Sequence, residues 1–306
     1  MPAHYLAFAV PFFLFFIGVE YLVARYRKQG RFYQFNSTIV NLSVGVAERL
    51  LDTFTVGLFY FVYAYLHRHF ALVEIRPGIL LWIALFVATD FVWYWYHRLG
   101  HEVSLFWSVH IVHHQSEDFN YTVSARITVF QAMLRTAFWS VLPIIGFPPG
   151  MITTVLLIHG AYPFFIHTRL VGKLGILEYI FVTPSHHRVH HACNDPYLDK
   201  NYGDVLIIWD KLFGTFAEET EEPRYGLTHP LESHSFLWQH FHFLLEVWHT
   251  ARHTPGWRNK LKIYSESPNR LPRKPGNYWK NSTCLPKRTP HLPPDASGRM
   301  WSGKWW

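Results

Sequence analysis

The stretch ILLWIALFVATDFVWYWYHRLGH, residues 79–101, decides how the chain is read. From Ile79 to His97 it is apolar apart from one acid, Asp90. At about 1.5 Å per residue, a helix of that length crosses the roughly 30 Å hydrocarbon core of a bilayer. It closes on His97 and His101, an HxxxH pair that a helix places on one face. Two more boxes follow, HIVHH (110–114) and HRVHH (187–191), each with the spacing HxxHH. An apolar span that ends in imidazoles points to a polar site carried at a membrane surface.

Working outward, further apolar stretches run at Ala3–Ala24, Ile39–Leu66, Val129–Phe147 and Met151–Ile166. The first lacks a basic lead and a small-residue cleavage site, so it reads as a retained span and not as a signal. Glu48, Arg49 and Asp52 make the first half of the second span interfacial or bundle-facing. The Pro-Pro-Gly joint at 148–150 predicts a hairpin between the last two. Only 16% of residues are charged, against about 25% in soluble domains. The formal charge of +7 is assigned to an anionic membrane surface and not to nucleic acid. Arg25, Arg27, Lys28 and Arg31 outweigh Arg68 and Arg76 across the next span, which places the first loop on the cytoplasmic side. Alternation then puts every histidine box on that side.

The expectation is an all-α integral membrane protein with four to five spans and a cytoplasmic, histidine-rich helical cap. Residues 1–78 are read as N-terminal membrane helices, 79–264 as a catalytic domain and 265–306 as a basic Pro/Trp-rich tail, extended or disordered.

The chain holds 21 His. Most, such as His4, His67, His69 and His291, read as ordinary solvated side chains. The boxes do not: His97, His101, His110, His113, His114, His187, His190 and His191 lie on three helical stripes and suit two metal ions. Imidazole serves zinc, copper, iron and nickel alike, so ligand type leaves the metal open. A cage of this size without Cys fits a two-metal catalytic site better than structural zinc. His186 pairs with His190 at i,i+4, so the register of the last box is not unique. Arg188 lies off the ligand stripe, facing water or a phosphate headgroup. Asp90, an acid inside a span, reads as functional. Asn201, Trp209 and Asp210 read as structural support, with bracing of the cage by hydrogen bonds as the alternative. Two rivals stand beside this reading. His113 and Asp118 have the H-x4-D spacing of glycerolipid acyltransferases. A non-catalytic metal- or haem-binding membrane protein is the other, although haem needs only two axial ligands.

The order HxxxH, HxxHH, HxxHH resembles the fatty acid hydroxylase/sterol desaturase superfamily of membrane di-iron oxygenases. The resemblance runs from Ile79 to Gly214 and continues in DKNYGDVLIIWDKLFGTF (199–216). HRLGHE, FFIHT, TPSHHRVHH, YGLTHP and TPGWRNKL look like its ether-lipid branch. It implies an oxidoreductase that hydroxylates an aliphatic lipid C–H bond with O2, beside an ether oxygen, or else a sterol or fatty acid hydroxylase or desaturase. It implies two iron ions, with electrons from tetrahydrobiopterin or from a separate external donor. Residue by residue it makes the eight box histidines ligands, adds His167 as a ninth, and gives Glu102 a catalytic role. His159 is either a further ligand or a hydrogen-bonded helix histidine, and His186 either touches metal or orients a neighbouring ligand. The oligomeric state is left open.

Overall fold

The computed structural model describes residues 4–75 and 78–271. Most of the expected tail, from 272 on, lies outside the described residues. Among the described residues the chain is helical, with two isolated β-bridges and no strand.

Helix α1 (His4–Tyr26) is followed by α2 (Phe35–Phe70), a single rod of 36 residues. Helix α3 (Ile79–Glu102) is the span quoted above; α4 (Ser104–His114) carries the second histidine box. The Val129–Phe147 stretch is not one helix. It divides at Ser140 into α5 (Val129–Trp139) and α6 (Val141–Ile145). Pro143 has no N–H to give the Trp139 carbonyl, and the break falls between them. Helix α7 (Pro149–Ile166) returns after a tight turn at Gly146, whose φ is 126°. A side chain there would meet the Val73 carbonyl at 2.0 Å, so only glycine fits. Helices α3 and α7 are long and apolar enough to cross a membrane; Val129–Ile145 is shorter.

These helices share an aromatic and aliphatic core that includes Tyr63, Leu85, Tyr96, Trp139, Ile152 and Val155. Their outer faces stay apolar and exposed, among them Phe15, Leu22, Phe54, Phe61, Ile79, Leu80 and Leu157. A continuous surface of this kind is not left to water in a soluble protein.

The polar half is built from α4 and from α8 (Pro184–His190), α9 (Ile208–Phe213), α10 (Phe236–His253) and α11 (Trp257–Ser265). A second core joins Val44 of α2 to Ile111 and Val112 of α4, Phe243 and Val247 of α10, and Ile263 of α11. The start of α2 is therefore packed against the cap. Its Glu48 is buried and meets His240 Nε2 at 3.0 Å, and its Asn41 accepts from Arg126. Ser265 ends α11 and a 3-10 turn follows at Pro268–Arg270, so the stretch just past 265 is ordered.

Candidate metal centre

Nine histidines come together where α3, α4, α7 and α8 converge, and all are buried. They form two groups: His97, His101, His110, His114 and His190 in one, His113, His167, His187 and His191 in the other. Within each group the candidate ligand atoms all lie within 4.8 Å of one another.

The division follows helical geometry. Residues i and i+4 sit nearly in line, while i+3 lies to the other side of the stripe. Each i,i+4 pair enters one group: 97/101 and 110/114 the first, 187/191 the second. The i+3 member of each HxxHH box crosses over, His113 to the second group and His190 to the first. His167, on the last carbonyl-bearing turn of α7, completes the second.

The backs of the rings are held by backbone. Nδ1–H donates to a carbonyl at His97 (Tyr202, 2.8 Å), His113 (Arg126, 3.3 Å), His190 (Lys200, 3.0 Å) and His167 (Pro163). A neutral imidazole with its proton on Nδ1 keeps a lone pair on Nε2. His113 and His167 therefore face each other lone pair to lone pair, Nε2 to Nε2, at 3.2 Å. His187 Nε2 is 3.0 Å from His167 Nε2; His110 Nε2 is 3.2 Å from His97 Nε2 and 3.1 Å from His114 Nε2. Two ligands about 2.1 Å from one ion, at roughly 90–110°, lie about 3.0–3.4 Å apart. The spacing suits a first-row cation at each group and is repulsive without one. The buried Nε2 atoms of His101, His190 and His191 have no hydrogen-bond partner among the described residues. The residues present thus fit two metal ions.

Burial pushes the imidazoles of His110, His113, His114, His187, His190 and His191 well below their ordinary pKa, and His167 down to about 4. They are neutral near pH 7, the form that binds metal.

The segment 199–203 supplies two of the carbonyls and is itself braced. Asp210 accepts from the N–H groups of Tyr202 and Gly203, both at 2.7 Å, and from the Thr215 hydroxyl. A Cβ on Gly203 would press on the Leu206 carbonyl at 2.7 Å. Asn201, at φ 55°, donates to the carbonyls of His186 and Ala217. Gln131 sits 3.0 Å from His110 Nδ1; with Nε2 on a metal, Nδ1 carries the proton and Gln131 must present its oxygen. Arg126 is fully enclosed, donating to Val112, Asn41, Gln115 and Gln239 while its carbonyl fixes His113. Gln131 and Arg126 carry no box motif, and the sequence reading passed over both.

The other expected residues fall outside the cage. Asp90 accepts from the backbone of Val205 (3.0 Å) and Leu206 (3.2 Å) and from Trp209 Nε1 (2.7 Å). His159 Nδ1 lies 2.7 Å from Asp204 and 3.6 Å from Asp90, in a separate buried cluster. Glu102 pairs with Arg98 at 2.9 Å; the carboxylate that approaches a cage ring is Asp199, 3.9 Å from His101 Nδ1. His186 turns away from the metal groups: its Nδ1 accepts from the Thr183 N–H in a capping box that starts α8. Arg188 does not face water or a headgroup. It is buried, paired in a fork to Glu219 at 2.8 and 2.7 Å, and donates to the carbonyls of Thr168 and Val171. Both ring nitrogens of His113 are taken inside the cage, which leaves none to activate through Asp118.

Residues 82–215 match the profile of the fatty acid hydroxylase family. The chain is 38% identical to the alkylglycerol monooxygenase of Homo sapiens, over 89% of this chain and 61% of the relative. Identity to that of Xenopus tropicalis is 36%, over 89% and 60%. An ornithine lipid hydroxylase of Rhizobium tropici is 33% identical over 42% of this chain and 40% of its own length. The chain thus spans about three-fifths of the length of the alkylglycerol monooxygenases it matches. No solved structure matches it.

Proposed function

We propose, from the premise that residues 82–215 match the fatty acid hydroxylase family, that the chain is a membrane-bound monooxygenase that inserts oxygen into an aliphatic lipid C–H bond, and that its substrate is an ether lipid. The observation that carries this reading is the pair of histidine groups, five and four, whose Nε2 lone pairs converge at metal-ligand spacing. Hydroxylation beside the ether oxygen yields a hemiacetal, which collapses to an aldehyde and an alcohol.

Two iron ions, when bound, supply the redox chemistry that activates O2 for C–H cleavage. The chain's own contribution is geometric and electrostatic. The Nδ1–H bonds to fixed carbonyls set the tautomer and the ring angle of each ligand. Burial keeps the imidazoles neutral and the surroundings dry, which limits wasteful reaction with water. The exposed apolar faces of α1, α2, α3 and α7 hold the cage at the bilayer surface, where a lipid chain enters without leaving hydrocarbon. In this reading the helices span the membrane four or five times and the cage lies on the cytoplasmic side. Electrons come from tetrahydrobiopterin or another external donor. Glu102 and Asp90 act at a distance from the metals, Glu102 at the rim and Asp90 by fixing the 205–209 segment.

The test is turnover by the full chain in lipid nanodiscs, loaded with iron and given a 1-O-alkylglycerol, tetrahydrobiopterin and O2. Aldehyde release is expected, falling by roughly 100-fold or more in His190→Ala. Iron-free protein with wild-type turnover in that variant contradicts the reading. The similarity to an ornithine lipid hydroxylase favours a second reading, hydroxylation of an acyl chain. A stable hydroxylated lipid as product, without aldehyde, selects it.

A further inference from the structure

The polar half of the molecule carries an apolar patch of its own. Around the 3-10 turn Gly175–Tyr179, Ile176 is 81% exposed, Tyr179 72% and Ile180 51%; on α9, Leu212 is 70% exposed. Leu177 and Ile208 widen the patch. Side chains of this kind do not gather on a surface that meets only water.

Two anchors on the apolar spans fix the level of the patch. Asp90 lies seven residues before His97 on α3, and His159 lies eight before His167 on α7. At the helical rise, these anchors sit about 10 Å and about 12 Å from the cage, toward the middle of each span. Asp90 accepts from the N–H groups of Val205 and Leu206 and from Trp209 Nε1. His159 Nδ1 lies 2.7 Å from Asp204. Residues 204–209 are therefore held alongside α3 and α7, well below the histidines. The patch is tied to this segment. The Val182 N–H donates to the Val205 carbonyl at 2.8 Å, and the Ile207 N–H to the Ile180 carbonyl at 3.0 Å. Trp209 and Phe213 of α9 pack on Phe91 at 5.1 and 6.4 Å, and Phe91 is itself exposed on the flank of α3. The patch thus continues the apolar outer face of the span.

Backbone lowered into hydrocarbon must have its polar groups paired. The N–H groups of Ile180 and Phe181 donate to the Leu177 carbonyl at 3.2 and 2.9 Å. Lys211 Nζ donates to the carbonyls of Glu178 and Tyr179 at 3.2 and 3.1 Å. The Glu178 carboxylate accepts from the Leu174 N–H and the Thr183 hydroxyl, both at 3.0 Å. The two charges beside the patch are spent on holding its fold.

We propose that the Gly175–Phe181 turn and α9 form a wedge inserted in the bilayer leaflet on the cage side without crossing it, and that its partner is the acyl chains of the surrounding lipid. Asp90 and Asp204, acids buried against apolar spans, then have a purpose: they hang a loop in hydrocarbon with its N–H groups satisfied. The proposal rests on α3 and α7 crossing the membrane and is independent of the metals and of the substrate.

The experiment uses the full chain in lipid nanodiscs, with the fluorescent residue dansylalanine placed singly at Ile176, at Leu212, at Ile83 on the outer face of α3, and at Glu222. Each label is quenched from the lipid by spin-labelled acyl chains and from water by iodide. At Ile176 and Leu212 the lipid quencher is expected to be at least about fivefold more effective than iodide. Iodide quenching there as strong as at Glu222 overturns the proposal. So does shielding from both quenchers, which assigns the patch to a protein partner or a second copy of the chain. Ile83 separates the two readings. If it is quenched from the lipid while Ile176 and Leu212 are quenched from water, the wedge fails and the spans stand. If Ile83 too is quenched from water, the spanning reading fails, and with it this one. The unsubstituted chain gives a check that no variant can spoil: hydroxyl radicals should oxidise Tyr179 at least about tenfold more slowly in nanodiscs than in the denatured chain. Equal oxidation overturns the proposal.

Discussion

The two halves of the histidine cage are made of the same side chain but are supported differently. In the five-histidine group, His97 and His190 lean on carbonyls of the 199–203 segment, and Asp199 approaches His101. That support is a loop, and Asp210 ties it down from below. In the four-histidine group, His113 leans on Arg126, in the loop before α5 and locked there by its own buried side chain, and His167 leans on the last turn of α7. Its outer wall is aromatic, Phe119 and then Tyr225. One group leans on a loop braced by a carboxylate, the other on a loop locked by a buried arginine, on the end of α7 and on stacked rings. Identical ligands can therefore differ in how they fail.

The sharpest probe of that difference is Asp210→Asn. Losing the charged acceptor loosens the 199–203 segment and should weaken metal binding in the five-histidine group by about 10–100-fold, leaving the other group intact. Metal content by mass spectrometry of the purified protein checks it; equal loss from both groups breaks the comparison.

A smaller effect, common to both groups, comes from pH. Burial holds the cage imidazoles below their ordinary value of 6.5, His167 at about 4. Between those values the unfolded chain binds more protons than the folded one. Stability of the metal-free protein is thus full above pH 6.5 and is lost as pH falls toward 4. Because burial is the leading cause in both groups, metal should leave both over one window on acidification. Release in two separated steps, followed by metal-sensitive fluorescence, would show that the different supports outweigh the shared burial.

The smallest effect is expected at His186→Ala. Loss of the capping contact should cost about 1 kcal/mol in thermal or denaturant unfolding and leave both metals bound. Loss of a metal would make His186 a ligand after all.

Much of this arrangement was legible in the sequence. All eight box histidines enter the cage, because spacing on a helix fixes which side chains share a face, and His167, which only the family resemblance pointed to, joins them. The family match at 82–215 overlays the stretch expected from Ile79 to Gly214. Helical spacing puts the three histidines of each HxxHH box on one face; the crossing of the i+3 member to the other group, which makes the division five and four, depends on how the helices face one another. Gln131, Arg126 and Asp199 were missed because their roles depend on contacts across the fold, and no local pattern marks them. Arg188 was misread for the same reason, since its partner Glu219 lies far along the chain. His186 was readable: Thr183, Pro184 and a side-chain acceptor at the third helical position form a cap. The break at Ser140 follows from Pro143, which the hydropathy of the stretch concealed.

The most direct test of the central claim, two metal groups divided five and four, is the metal count per chain in wild-type protein and in His187→Ala, by mass spectrometry on protein of known concentration. The predicted result is two first-row ions per wild-type chain and one in the variant, which leaves the four-histidine group with three ligands. A wild-type chain that binds one ion or none, or a variant that keeps both, contradicts it.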